Sequence, residues 1–268
     1  MTGLPIGVFD SGVGGLTVLR ALRERMPAEN FIYLGDTARL PYGTKSAETV
    51  VRYSLQCAAA LIRRQVRCLV VACNTASASA LDALRVNHPT LPVIGVIEPG
   101  AEAAVAASRS QHIAVIATEG TVGGGAYQTA IRRLNPSARV TSRACSLFVS
   151  MAEEGWTEGP IAEAVARRYL DPIFHSGDAP DTLVLGCTHF PALAAAIRAA
   201  LPPEVIVVDS AATTAAAVLD RLHGACASPG VRGTVSWLAT DGAARFARVG
   251  SAFLGETLHA EAIEIVDL

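Results

Sequence analysis

Two short stretches of this 268-residue chain resemble each other, and each centres on a cysteine: Leu69-Val70-Val71-Ala72-Cys73-Asn74-Thr75 and Leu183-Val184-Leu185-Gly186-Cys187-Thr188-His189. Each reads as a buried strand ending in a thiol, with a small residue before the cysteine and Asn74-Thr75 or Thr188 placed to cap a following helix. If the two units face each other, a small substrate between them meets one sulfur on each side. That arrangement can invert a stereocentre, one cysteine acting as thiolate base and the other as thiol acid, with the roles exchanged in the reverse direction. A free thiol titrates near pH 8.5, and a helix start or a cationic neighbour lowers that value. Both cysteines stand at candidate helix starts.

Neighbouring residues differentiate the two sulfurs. Asp10, at another strand end, is placed to reach Cys73, and His189 lies two residues beyond Cys187. The plainer alternatives are a turn or helix cap for Asp10 and a satisfied loop histidine for His189. The loop Asp10-Ser11-Gly12-Val13-Gly14-Gly15-Leu16-Thr17 follows a strand and opens a helix, so its N–H groups are available to an anion. A dinucleotide fingerprint would need glycine where Thr17 stands, although Asp36 imitates the ribose-binding acid, and no Gly-Lys-Ser/Thr follows to make a Walker loop. A small carboxylate held by Ser11 and backbone donors fits better. Pyridoxal phosphate needs a lysine, and the single lysine, Lys45, sits in the loop Pro41-Tyr42-Gly43-Thr44-Lys45-Ser46, where a solvent-exposed turn residue is expected. Without a Cys-x-x-Cys, Cys187 and His189 supply at most a partial metal-ligand set. The expectation is chemistry by side chains alone, with no cofactor and no metal.

These residues need strand ends to hold them. Apolar runs at 5–9, 30–34, 68–72, 92–96, 112–117, 138–142, 182–186 and 204–208 alternate with Ala- and Arg-rich helical stretches, a pattern of parallel sheets with helices on both faces. Ligands in such folds gather at the carboxyl ends of strands, where Asp10, Cys73, Thr118 and Cys187 all fall. Ile6-Gly7-Val8-Phe9-Asp10-Ser11-Gly12 is matched by Ile113-Ala114-Val115-Ile116-Ala117-Thr118-Glu119-Gly120, at a similar separation from the following cysteine. The expected fold is therefore α/β, with two similar units and the site between them. Pro92–Gly100 marks a crossing from the first unit to the second, and a return near Val207-Val208-Asp209-Ser210 lets C-terminal helices rejoin the first. The expected division is 1–97 with 208–268, and 98–207.

Composition narrows the class. Hydrophobic residues are 51% and charged residues 17% of the chain, as in compact globular proteins, and the formal net charge of −2 gives no pull toward nucleic acid. Arginines scattered along helices, such as Arg20, Arg23, Arg25, Arg63, Arg64 and Arg67, read as solvated faces. No apolar run reaches spanning length and no export leader is seen, so a cytoplasmic, membrane-free protein is expected. In a reducing compartment its six cysteines form no disulfide framework. Cys57, Cys68, Cys145 and Cys226 are expected to be buried small hydrophobes.

The motifs Phe9-Asp10-Ser11-Gly12-Val13-Gly14-Gly15-Leu16-Thr17, Gly35-Asp36-Thr37-Ala38 with Pro41-Tyr42-Gly43, Ala72-Cys73-Asn74-Thr75-Ala76-Ser77 and Gly186-Cys187-Thr188-His189-Phe190-Pro191 together resemble the bacterial glutamate racemases, a cofactor-independent amino-acid racemase group, over Ile6 to about Ser210. The resemblance implies two α/β domains related by a pseudo-twofold, with the active site between them, and interconversion of L- and D-glutamate, the D form serving peptidoglycan synthesis. It implies Cys73 and Cys187 as the acid/base pair, Asp10 assisting the first, and His189 with a glutamate assisting the second. Glu153 matches that glutamate best, with Glu154 as the alternative. Substrate contacts would come from Asp10, Ser11, Tyr42, Gly43, Asn74, Thr75, Thr118, Thr121, Thr188 and His189. Aspartate racemases share the paired cysteines but usually lack the histidine after the second, so Thr188-His189 points to glutamate. Gly123-Gly124-Gly125 stands where relatives commonly carry a longer polar or basic pair, which leaves the grip of that loop open. A homodimer is left open. So is a contact with DNA gyrase, known for some members, although no basic patch supports it.

Overall fold

The computed structural model describes residues 3–175, 177–222 and 232–268. Its strands are β1 (Ile6–Asp10), β2 (Phe31–Gly35), β3 (Cys68–Val71), β4 (Val93–Gly95), β5 (His112–Ala117), β6 (Arg139–Ala144), β7 (Thr182–Gly186), β8 (Ile206–Asp209), β9 (Val235–Ala239) and β10 (Ile263–Ile265). The helices are α1 (Leu16–Arg25), α2 (Ala47–Ile62), α3 (Asn74–Asn87), α4 (Ile97–Ala107), α5 (Glu119–Gly124), α6 (Ala126–Leu134), α7 (Leu147–Glu154), α8 (Gly159–Phe174), α9 (Ala194–Ala199), α10 (Ser210–Arg221) and α11 (Ala243–Leu254).

Two separate sheets result, in the orders β10-β9-β2-β1-β3-β4 and β6-β5-β7-β8, and their strands pair parallel throughout. The order β2-β1-β3-β4 recurs as β6-β5-β7-β8. β1 therefore corresponds to β5 and β3 to β7, so the two cysteine-bearing strand ends are topologically equivalent. The central strands β1, β3, β5 and β7 are buried along their whole length, as expected of parallel strands covered on both faces. β6 at a sheet edge, by contrast, has no buried residue.

The C-terminal segment departs from the expectation of helices alone. It adds β9 beside β2 and β10 beside β9, so residues far apart in sequence complete the first sheet. Neither strand shows a long apolar run, because each lies toward the sheet edge: β9 has only Leu238 and Ala239 buried, and β10 only Ile263. The segment Pro92–Gly100 supplies β4 and the start of α4, which packs on α6 and β7 of the second sheet, while α10 packs on α1 of the first. Cys57, Cys68 and Cys145 are buried thiols, and burial pushes each up to about 12. Cys226 lies outside the described residues.

α11 anchors the C-terminal segment through Phe246, which is 1% exposed and sits with its ring 6.0 Å from that of Tyr33 on β2. Truncating a fully buried phenylalanine removes its contacts and leaves a cavity. Phe246→Ala is expected to cost about 3–5 kcal/mol of unfolding free energy, measured by urea titration.

Candidate active site

The loop between β1 and α1 is built around the side chain of Asp10. Its Oδ2 accepts the N–H of Gly15 at 2.9 Å and of Gly12 at 3.3 Å. Two of the N–H groups expected to be open to a ligand anion are therefore engaged by the protein's own carboxylate. Asp10 is fully buried, and its second oxygen, Oδ1, has no hydrogen-bond partner among the described residues.

Cys73 follows β3 and is itself the N-cap of the 14-residue α3: its Sγ accepts the N–H of Ala76 at 3.5 Å. The expected caps, Asn74 and Thr75, lie instead inside the first helical turn. Cys73 Sγ also lies 3.7 Å from Ser11 Oγ. Burial and the nearby Asp10 carboxylate push the Cys73 thiol well above its ordinary value, against the opposing pull of the Ala76 and Ser11 donors. The helix start is present, but it does not win: Cys73 holds its proton.

Asn74, 3% exposed, accepts a 2.8 Å hydrogen bond from the Tyr127 hydroxyl on its Oδ1, and its Nδ2 has no partner among the described residues. Thr75 Oγ1 lies 3.0 Å from Thr118 Oγ1 and 3.1 Å from Thr121 Oγ1, and the latter two are 3.1 Å apart. This triangle of hydroxyls joins the end of β3 to the end of β5, across the two sheets. Thr118 also caps α5 by accepting the N–H of Thr121 at 3.4 Å. The Gly123-Gly124-Gly125 departure falls in the last turn of α5 and its left-handed cap.

Cys187 sits at the equivalent end of β7, but the chain beyond it behaves differently. Thr188 caps no helix; a short 3-10 turn, Phe190–Leu193, follows His189, and α9 begins only at Ala194. His189 is thereby turned back onto the sulfur, with Nδ1 3.8 Å from Cys187 Sγ, while Nε2 lies 3.2 Å from Glu153 Oε1 on α7. Of the two candidate glutamates, Glu153 makes this contact. Burial alone would lower the histidine, but the hydrogen bonds to Cys187 and Glu153 and the charges of Cys187 and Asp10 raise it to about 10. Burial would raise Glu153, yet His189 and Arg245 hold it below the usual carboxylate range. Arg245 Nη2 on α11 is 2.9 Å from Glu153 Oε2.

Gly14 is the point of closest approach between the Asp10 loop and this relay. A Cβ there would stand 2.4 Å from Thr188 Oγ1 and 2.5 Å from His189 Nδ1. Gly43 has the same role at the opposite wall, where a Cβ would meet Thr118 Cβ at 2.6 Å. Tyr42 brings only its main chain to that wall. Its ring is buried against Tyr53, and its hydroxyl meets Asp36 and Cys57 Sγ. Asp36, the imitation of a ribose-binding acid, is taken up by Tyr42, Arg39 and Thr240. Lys45 closes the Tyr42 turn through its N–H and is partly buried rather than fully exposed.

Asp10, Ser11, Gly43, Asn74, Thr75, Thr118, Thr121, Thr188 and His189 thus gather with the two cysteines where the sheets' carboxyl ends meet. Two contributors have no signal in the sequence: Arg245, one more arginine on an amphipathic helix, and Tyr127, an ordinary apolar position on α6. Chemically, the cluster offers one thiol, raised by burial and a neighbouring carboxylate, and a second thiol backed by a histidine–glutamate pair.

Residues 6–218 match the Asp/Glu/hydantoin racemase family. The chain is 51% identical over 255 residues to a glutamate racemase of Geobacter metallireducens, an alignment covering 94% of this chain and 93% of that one. It is similar to the crystal structure of a glutamate racemase isoform of Bacillus anthracis, with a TM-score of 0.92 and 33% identity over 100% of this chain and 99% of that one. It is also similar to the Francisella tularensis glutamate racemase in complex with D-glutamate, with a TM-score of 0.90 and 36% identity over 100% and 98% of the two chains.

The His189 environment yields a test that needs no substrate. A folded-state value raised above the ordinary 6.5 contributes stability that is fully present below about pH 6.5 and is lost as pH climbs through about 10. The stability difference between the wild type and His189→Gln should therefore shrink across that window in urea unfolding. A difference independent of pH would contradict the assigned environment.

Proposed function

The chain belongs to the Asp/Glu/hydantoin racemase family, and from that premise we propose that it interconverts L- and D-glutamate by a two-base mechanism in which Cys73 and Cys187 exchange protons with opposite faces of Cα. It is a racemase, hence an isomerase, and D-glutamate is the form drawn on for peptidoglycan. The proposed setting is the cytoplasm; no helix among the described residues is long and apolar enough to cross a membrane. Residues 1–97 with 208–268 make one wall of the site in this reading, and 98–207 the other.

The observation that carries the reading is the pair of cysteines on topologically equivalent strand ends, each with its own proton partner. In one direction a Cys187 thiolate takes the α-proton while the Cys73 thiol delivers one to the other face. The Cys187 sulfur ends protonated and Cys73 ends as thiolate. Between turnovers the Cys187 proton leaves to solvent by way of His189 and Glu153, and the Cys73 thiolate regains one from solvent by way of Asp10.

Substrate binding follows from the unsatisfied polar atoms. Asp10 Oδ1 is a buried acceptor suited to an α-ammonium, and Asn74 Nδ2 a buried donor suited to a carboxylate. The Thr75, Thr118 and Thr121 hydroxyls bond one another and can turn toward a second carboxylate. An ammonium arriving beside Asp10 also weakens the repulsion that keeps Cys73 protonated, so the thiol becomes more acidic when substrate is in place.

The enantiomers have equal free energy in water, so kcat/KM must remain equal in the two directions for any variant. Inequality between the cysteines appears only in kcat and KM taken separately. Run from one enantiomer in deuterated water, the product should carry deuterium at Cα while remaining substrate initially stays protonated. Equal early labelling of both would point to a single base, and faster turnover of aspartate than glutamate would overturn the substrate assignment. Gly14→Ala should lower kcat by about 10²-fold with folding preserved, because its methyl displaces His189 and Thr188; steady-state kinetics beside circular dichroism check it.

A further inference from the structure

Arg245 joins the Cys187 relay from the opposite wall. It stands on the first turn of α11, whose preceding strand β9 belongs to the first sheet, whereas Cys187, His189 and Glu153 come from elements of the second. The segment that carries it is anchored: Thr240 Oγ1 donates to Asp36 Oδ1 at 3.0 Å, and the Asp241 N–H donates to Thr37 Oγ1 at 3.0 Å. Asp36 also holds the Tyr42 hydroxyl, and hence the turn that brings Gly43 against Thr118. One framework thus sets both the Gly43 wall and the position of the guanidinium.

Glu153 is shared cleanly between its two partners. Oε1 faces His189 Nε2 at 3.2 Å and Oε2 faces Arg245 Nη2 at 2.9 Å, so each oxygen has one cation. The glutamate side chain is 12% exposed, and that of Arg245 49% exposed. A cavity of about 250 Å³, lined by Val13, Leu40, Glu153, Asp241, Arg245 and Phe246 among others, reaches this pair from outside. A carboxylate in this position could rotate toward the cavity and release the histidine. The guanidinium occupies the oxygen that would lead that rotation.

We propose that Arg245 is a positioning residue for the Cys187 half of the reaction: by holding Glu153 Oε2 from across the cleft, it keeps Oε1 on His189 and the imidazole aimed at the sulfur. The proposal rests on the racemase reading of the site. Arg245 touches neither sulfur and acts only through Glu153. Because it belongs to the other wall, the relay is complete only when the two walls are in their present arrangement, so a ligand that separates them also disconnects the Cys187 partner.

The charged groups around Glu153 are His189 beyond β7, Arg245 on α11 and Asp241 at the end of β9; His189 in turn faces Cys187 and Asp10. Removing the guanidinium withdraws positive charge from the carboxylate, so Glu153 protonates at higher pH and the acidic limb of the kcat profile should move upward.

The test is a double-mutant cycle in glutamate racemisation on the full chain. Arg245→Ala should lower kcat about two- to fivefold with little change in KM, within the range of a partly exposed ion pair, and should move the acidic limb upward. Arg245→Lys should restore most of both. Glu153→Gln should be lowered no further by adding Arg245→Ala. Arg248→Ala, an exposed position on the same helix, should leave kcat and its pH profile unchanged. Full multiplication of the Arg245→Ala and Glu153→Gln losses would overturn the proposal, as would a wild-type profile in Arg245→Ala. Thermal unfolding of each variant separates positioning from a general loss of fold, since a folding defect would not be suppressed by Glu153→Gln. A wild-type chain inactive on glutamate would instead remove the premise.

Discussion

The buried carboxylate of Asp10 organises the site. A charge out of water is costly unless donors meet it, and the Gly12 and Gly15 N–H groups supply them to one oxygen. That capture shapes the loop into α1 and leaves the other oxygen buried and without a partner among the described residues. The same negative charge acts in two directions. It keeps the proton on Cys73, and it helps to keep one on His189. A zwitterionic ligand placing its ammonium beside Asp10 would relax both effects together, which links occupancy of the site to the acidity of Cys73 and His189.

Two equivalent strand ends have been put to unequal use. After β3 the chain enters a long helix at once, and Cys73 spends its sulfur's acceptor capacity on the first turn of that helix. After β7 the 3-10 turn keeps the backbone near the sheet end long enough for His189 to fold back against Cys187. The edge-on contact of the His189 ring with Phe253, centroids 5.2 Å apart, supports the imidazole from α11. A difference of one helical start therefore gives one thiol a carboxylate neighbour and the other an imidazole neighbour.

The C-terminal segment ties these parts together. β9 and β10 extend the first sheet, and α11 then brings Phe253 and Arg245 against residues of the second. Beside an apolar core that is continuous from one sheet to the other, the site itself is crossed by hydrogen bonds and an ion pair, at Thr75 with Thr118 and Thr121, at Asn74 with Tyr127, and at Glu153 with Arg245. Such contacts can be exchanged for water or substrate at low net cost, which suits an interface that must admit a ligand.

By itself the sequence determined the alternation of strands and helices, the duplication that makes Cys73 and Cys187 equivalent, and the local groups Asp10, Ser11, Thr118 and His189. These are legible because each depends on residues within a few positions: an apolar run, a cap, a glycine turn. It did not reveal β10, an edge strand, or β9 beside it, a run broken by Ser236 in which only Leu238 and Ala239 are buried, nor that Cys187 would lack an α-helix start. Glu153 was favoured over Glu154 by motif resemblance, but only the packing of α7 against the β7 end gives it the histidine. Tyr42 enters as a substrate contact through the resemblance, whereas the structure buries its ring and sets its hydroxyl on Asp36. Arg245 and Tyr127 were decided by tertiary structure alone. Their significance lies in the partner each meets across the cleft, and no local pattern along a helix records which carboxylate or amide a distant strand will bring to it.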